Sequence, residues 1–229
     1  MSFELTCPKC GAHSGPSVGT CPYCKTIMSA AAQNGAPMAP EMVAVQRYFD
    51  SGSIDQALTL ASAAETHAPE LLKNREFQVL YSRILIETEA PACKIRAILN
   101  QVLLKSPNDA DATDYLGILD AKMNFTAHES SGGESRLTEI LKRRKDLDLA
   151  YFVFGAHLFW ERAETQMSVR HLDAAIRLRP NFLRAWGCLG AIHRQIGNEP
   201  LAQKAFQNCL RLETEPGMRK YFQELMAKH

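Results

Sequence analysis

The chain has 229 residues, 46% hydrophobic and 22% charged, with a formal net charge of +1, the composition of an ordinary soluble domain. Near-neutral charge argues against a general polyanion binder, and no run reaches the roughly 18 apolar residues of a membrane-spanning helix. The length suits one medium domain with a small appendage.

Two C-x-x-C pairs come first, Cys7-Pro-Lys-Cys10 and Cys21-Pro-Tyr-Cys24. A two-residue spacing lets both sulfurs of a tight turn face one centre, and two such turns supply four thiolates to a closed tetrahedral zinc site. The segment is too short to bury a core, so metal must hold it, and structural zinc contributes on the order of 10–16 kcal/mol in small fingers. Residues 1–28 are therefore expected to form a zinc ribbon around one structural Zn2+ held by Cys7, Cys10, Cys21 and Cys24. Four cysteines leave no open coordination position, so the metal is structural and the ribbon serves at most as a contact face. Lys9, Tyr23 and Lys25 make a thin basic and aromatic surface. From it comes the alternative expectation, a nucleic-acid-associated factor whose ribbon touches DNA or RNA. A weaker alternative reads Cys21-Pro-Tyr-Cys24 as a thiol redox pair, yet the strand before it and the βαβ pattern after it are missing.

Residues 29–40 are small, uncharged and punctuated by Gly35, Pro37 and Pro40, which reads as a flexible linker. Cys93, Cys188 and Cys209 fall singly inside helical patterns, where cysteine acts as a small apolar residue. That usage fits a reducing compartment, and the N-terminus shows no basic-then-apolar leader, so a cytoplasmic location is expected.

From residue 41 to residue 229 the periodicity is helical. Pro69, Pro107 and Pro180 each follow an amphipathic helix. Gly117, Gly155 and Gly190 recur 38 and 35 residues apart. The clearest unit runs from Leu183 to Pro216: Trp186, Leu189, Gly190 and His193, then Gly197-Asn198, then Ala202, Ala205-Phe206 and Cys209-Leu210. This pattern resembles the tetratricopeptide repeat (TPR), a helix–turn–helix unit of about 34 residues, with His193 where the family usually has tyrosine. Residues 38–69 follow the same offsets through Tyr48, Gly52, Ala57, Ala61 and Ala64. Segments 76–107 and 148–180 match more loosely, and segment 110–147 carries a polar turn over His128–Gly133 before a helix from Glu134. The expected fold is all-α, a TPR-like solenoid of about five repeats, with residues 217–228 as an amphipathic helix capping its open end.

The resemblance implies a concave groove lined by the first helix of each repeat. Placed on this sequence, groove positions include Phe49, Phe77, Lys122, Phe152, Phe159, Trp160, Arg184 and Arg194. The resemblance also implies a non-enzymatic adaptor that takes a protein or peptide partner, an amphipathic or extended segment with aliphatic anchors and some acidity. The lysine and asparagine set with which relatives clamp a C-terminal carboxylate is absent. Lys142-Arg143-Arg144-Lys145, the densest charge run, reads as the solvated end of a helix whose dipole favours cations. No phosphate-binding glycine loop, H-E-x-x-H motif or nucleophile–base constellation appears, so catalysis is not expected.

Overall fold

A computed structural model describes residues 5–6, 13–14, 39–213 and 215–227. Contacts divide the chain into two units, Met1–Pro40 and Glu41–His229. In the first, strand β1 (Leu5–Thr6) pairs antiparallel with β2 (His13–Ser14), Leu5 opposite Ser14 and Thr6 opposite His13. The expected zinc cysteines lie outside the described residues.

The second unit is helical: α1 (Pro40–Ser51), α2 (Ile54–His67), α3 (Arg75–Glu87), α4 (Ala92–Lys105), α5 (Ala110–Thr126), α6 (Ser130–Arg143), α7 (Asp148–Trp160), α8 (Thr165–Leu178), α9 (Leu183–Gln195), α10 (Glu199–Leu212) and α11 (Pro216–Ala227). A short 3-10 turn, Pro69–Lys73, bridges α2 and α3. Helices α2, α4 and α8 end two residues before Pro69, Pro107 and Pro180, because the residue preceding proline is pushed out of the helical region. Asn74 and Asp109 cap α3 and α5 by accepting from the amides of Phe77 and Ala112 at 2.8 and 2.9 Å.

Each hairpin reverses through one residue with left-handed backbone: Gly52, Glu89, His128, Ala163 and Gly197, with φ between 54° and 87°. Ala90 N–H donating to the Leu85 carbonyl at 2.9 Å and Asn198 N–H to the His193 carbonyl at 2.8 Å close two of these turns as Schellman motifs. The array therefore repeats a backbone device as well as a sequence pattern.

Helices α3, α5, α7 and α9 pack successively side by side, and α4, α6 and α8 each lie between the odd-numbered helices before and after them. This gives an inner layer of odd helices and an outer layer of even ones. Small residues permit the close pairing: a methyl on Gly190 would lie 2.5 Å from the Phe206 ring. Gly133 serves the same purpose against Phe125, and this corrects the expected turn. Helix α6 begins at Ser130 and runs through Gly132 and Gly133.

The array curls tightly enough for its early and late repeats to meet. Arg83 of α3 donates to both carboxylate oxygens of Asp148 at the start of α7. Arg179, just past α8, reaches Glu87 of α3, and its guanidinium lies 4.8 Å from the Phe49 ring centroid and 3.6 Å from that of Phe182. Asn181 donates to the Asp50 carbonyl at 3.1 Å. Helix α11 closes the other end with Phe222 packed on Ala202, Phe206 and Cys209. Cys209 is buried as expected, whereas Cys93 is exposed at the start of α4, a departure from its expected apolar role.

Candidate functional site

A cavity of about 290 Å³ opens on the inner layer between α5, α7 and α9, with the α3–α4 turn at one edge. Its floor is apolar: Phe125 from α5, and Phe152, Val153 and Ala156 from α7. These residues reach it because α5 and α7 are adjacent inner helices, and their i, i+3, i+4 spacing places them on one face. Phe152 is held from behind by Phe182 at 4.7 Å between ring centroids. Trp160, the last residue of α7, stands at the rim with 63% of its surface exposed, edge-on to the buried Phe159 ring at 4.6 Å. Trp160 is thus a large aromatic left open at the mouth of an apolar cavity.

The walls are polar and charged. The Arg184 guanidinium, 5.4 Å from the Phe152 ring, bonds to the Glu87 carbonyl and pairs with Glu89 at 2.5 Å. Lys122 directs its ammonium at the Ile86 carbonyl, 3.3 Å away, and lies 3.6 Å from the Glu89 carboxylate. Burial holds the Lys122 ammonium below the ordinary lysine range, and the Arg184 charge adds to that. The Glu89 carboxyl is also held below its usual range, by Arg184 first and Lys122 second, which here favours the charged form. Burial pushes the Cys188 thiol up, so the sulfur on the cavity wall is a poor nucleophile. His157 stacks flat on Phe125 at 3.6 Å, with Nε2 3.0 Å from Glu134 Oε1 and Nδ1 buried without a hydrogen-bond partner among the described residues.

The expected groove residues divide into three groups. Lys122, Phe152, Trp160 and Arg184 line the cavity. Phe49, Phe77 and Phe159 do not: all three are buried, Phe49 between the Arg83 and Arg179 guanidinia, Phe77 fully enclosed beside Tyr81, Phe159 beneath Trp160. They are corrected to core residues: the tight curl brings Arg179 over Phe49, while Phe77 and Phe159 are enclosed within the packed layers beside Tyr81 and Trp160. Arg194 is corrected as well. It lies over the Phe206 ring, donates to the Leu225 carbonyl and pairs with Glu199, so it fastens α11. The basic run is not simply solvated either. Arg143 and Arg144 both pair with the buried Asp114, and Arg144 also with Asp111 and Asp146. Phe125, Glu89, His157 and Cys188 went unassigned from sequence. Phe125 alone had a signal there, one helical turn beyond Lys122.

Among the described residues no group of three or more His, Cys, Asp or Glu side chains is placed to hold a metal, and no helix is long and apolar enough to cross a membrane.

No family model and no curated protein matches the sequence. Solved structures do. A thermophilic TPR protein of Thermus thermophilus, TTC0263, superposes with a TM-score of 0.52 at 13% identity, over 82% of this chain and 97% of that one. The MamA protein matches with a TM-score of 0.40 at 18% identity, over 81% of this chain and 97% of the other. YrrB, described as a TPR protein with an unusual peptide-binding site, matches with 0.42 at 13%, over 85% and 96%. The likeness to the Thermus protein shows a TPR-like helical solenoid.

Proposed function

We propose that the chain is a non-enzymatic scaffold that takes a protein or peptide segment into the cavity between α5, α7 and α9. The observation that carries this reading is the apolar-floored cavity of about 290 Å³ with Trp160 exposed at its rim and cations in its wall. A volume of that order admits one large side chain, so the partner contributes an anchor residue while its backbone runs across the inner helices. Trp160→Ala is expected to weaken partner binding at least about tenfold, as truncation of an aromatic anchor does. Binding unchanged in a folded Trp160→Ala protein would remove the cavity from the reading.

The N-terminal segment is proposed as a structural zinc ribbon and second contact face. Four thiols in two C-x-x-C pairs fit a closed tetrahedral site. The antiparallel pairing of Leu5–Thr6 with His13–Ser14 brackets the first pair, as a metal knuckle requires. Metal analysis should find one zinc per chain, lost in Cys10→Ser. Iron in its place, or no metal in a chain whose N-terminal segment is ordered, would overturn this part.

A further inference from the structure

We infer that the partner's anchor carries a carboxylate beside an apolar side chain, and that Glu89 occupies the carboxylate's place until the partner arrives. The inference rests on the cavity being the binding site and adds the chemistry of what enters it.

Three observations converge on it. The cavity wall holds two cations, Lys122 on α5 and Arg184 on α9, on either side of α7, and both face the same glutamate. Their donors are far from used up. The Lys122 ammonium has one acceptor within 3.5 Å among the described residues, the Ile86 carbonyl, out of three possible bonds. Arg184 engages the Glu87 carbonyl and Glu89 through two of its five N–H groups. A half-buried ammonium with spare donors gains from a second carboxylate more than an exposed one does, and burial has already made its charge costly to hold.

Glu89 itself is built as a removable occupant. It is not on a helix but at the left-handed position of the α3–α4 turn, φ 60°, and 61% of its side chain is exposed. Glycine or alanine serves at three of the other turns, in Gly52, Gly197 and Ala163, and histidine at the fourth, His128, so that Glu89 is the one acidic side chain among the five. A long acidic side chain there reaches over the cavity mouth to both cations. Because its carboxylate is solvated on the outer side, it can swing into water without leaving a buried charge behind. A partner carboxylate can then take over Arg184 and Lys122 while its apolar neighbour enters over Phe125, Phe152 and Val153. Glu161, at the far rim, disfavours a partner with a second acid on that side, which sets the direction of the segment.

The test uses the full chain and fluorescein-labelled peptides with a central Leu or Phe flanked by Glu, together with matched peptides carrying Gln or Lys instead. Anisotropy reports affinity, and quenching of Trp160 fluorescence reports the site, with Trp160→Phe as the control. The Glu peptides should bind about tenfold or more tightly than their Gln counterparts. Glu89→Gln retains the side chain's length and the turn's backbone, and should tighten Glu peptides severalfold while leaving Gln peptides unchanged. Lys122→Met and Arg184→Gln, each verified as folded by its melting curve, should abolish the preference for Glu. Glu and Gln peptides that quench Trp160 with equal affinity would overturn the acidic anchor and leave the cavity standing as the site. The same holds if Glu89→Gln weakens the Glu peptides. Peptides of all three kinds failing to quench Trp160 would overturn the cavity reading and the anchor with it.

Discussion

Arg179 and Glu87 stand 92 positions apart in the chain, yet Arg179 Nη2 donates to Glu87 Oε2 across 2.7 Å, with side chains only 10% and 4% exposed. This pair joins the fourth repeat to the second. With Arg83, Asp148 and the Phe49 ring it turns a solenoid, whose stability normally comes from neighbours alone, into one tied across its own curvature. Burial pulls the Arg179 guanidinium below the usual arginine range, which marks how far its charge depends on the surrounding carboxylates.

Removing one partner of that pair leaves a buried charge uncompensated. Glu87→Ala is expected to cost about 3–5 kcal/mol. Arg96→Ala breaks a pair with Asp120 in which the arginine is 46% exposed, and should cost less than about 1 kcal/mol. Urea unfolding of the two variants checks the contrast. Equal losses would mean that the buried network is not the tie across the curve.

Turn geometry gives a cleaner pair. Ala163 sits at φ 54° and Gly197 at φ 75°, each the left-handed residue of its hairpin turn, and a methyl on Gly197 would meet no atom within 4 Å. Backbone preference alone is then at stake. Ala163→Gly should stabilise by about 0.5–1 kcal/mol, and Gly197→Ala should destabilise by about 1 kcal/mol. Shifts of the same sign in the two variants would contradict the shared turn.

Two adjacent aromatics separate core from surface. Phe159→Ala empties a buried site and should lower stability by about 3–5 kcal/mol. Trp160→Ala removes a largely exposed ring and should change stability by less than about 1 kcal/mol. Thermal melts of both proteins decide it, and a large loss for Trp160→Ala would place that ring in the core.

Acid stability follows from Asp109, which caps α5 and pairs with Arg75 of α3. The Arg75 guanidinium holds the Asp109 carboxyl below the usual carboxylate range. The folded state therefore favours the ionised form more than the unfolded chain does. Its contribution is present in full above the ordinary carboxylate pKa of roughly 4 and fades as pH falls through the lower folded value. Arg75→Met should flatten the stability–pH curve below about pH 4. A curve of unchanged steepness there would remove the pair from the account.

What was legible in the sequence is what depends on near neighbours. Pro69, Pro107 and Pro180 announced helix ends because proline constrains the residue before it. Gly117, Gly155 and Gly190 announced the close helix pairs because only glycine leaves room there, as the contact of Gly190 with Phe206 shows. Gly132 and Gly133 misled for the same reason. Glycine signals a turn or a tight contact equally well, and Phe125, the residue that decides between them, lies on another helix. The curl itself is beyond local reading, since Arg179 and Glu87 leave no periodic trace. That is why Phe49, which the repeat pattern put in the groove, proved to be covered by Arg179. Lys122, Phe152, Trp160 and Arg184 could be found by repeat position, whereas Glu89 could not, because turn residues carry no groove position.

The most direct measurement replaces single residues with a photo-crosslinking phenylalanine and reads which positions capture a partner in the native cell. Position 160 lies at the cavity rim, and Leu104, 83% exposed on the outer helix α4, is the control. Binding through the inner cavity predicts a discrete crosslinked partner at 160, absent at 104 and lost in the Arg184→Gln background. A partner captured from position 104 and not from 160 would contradict it.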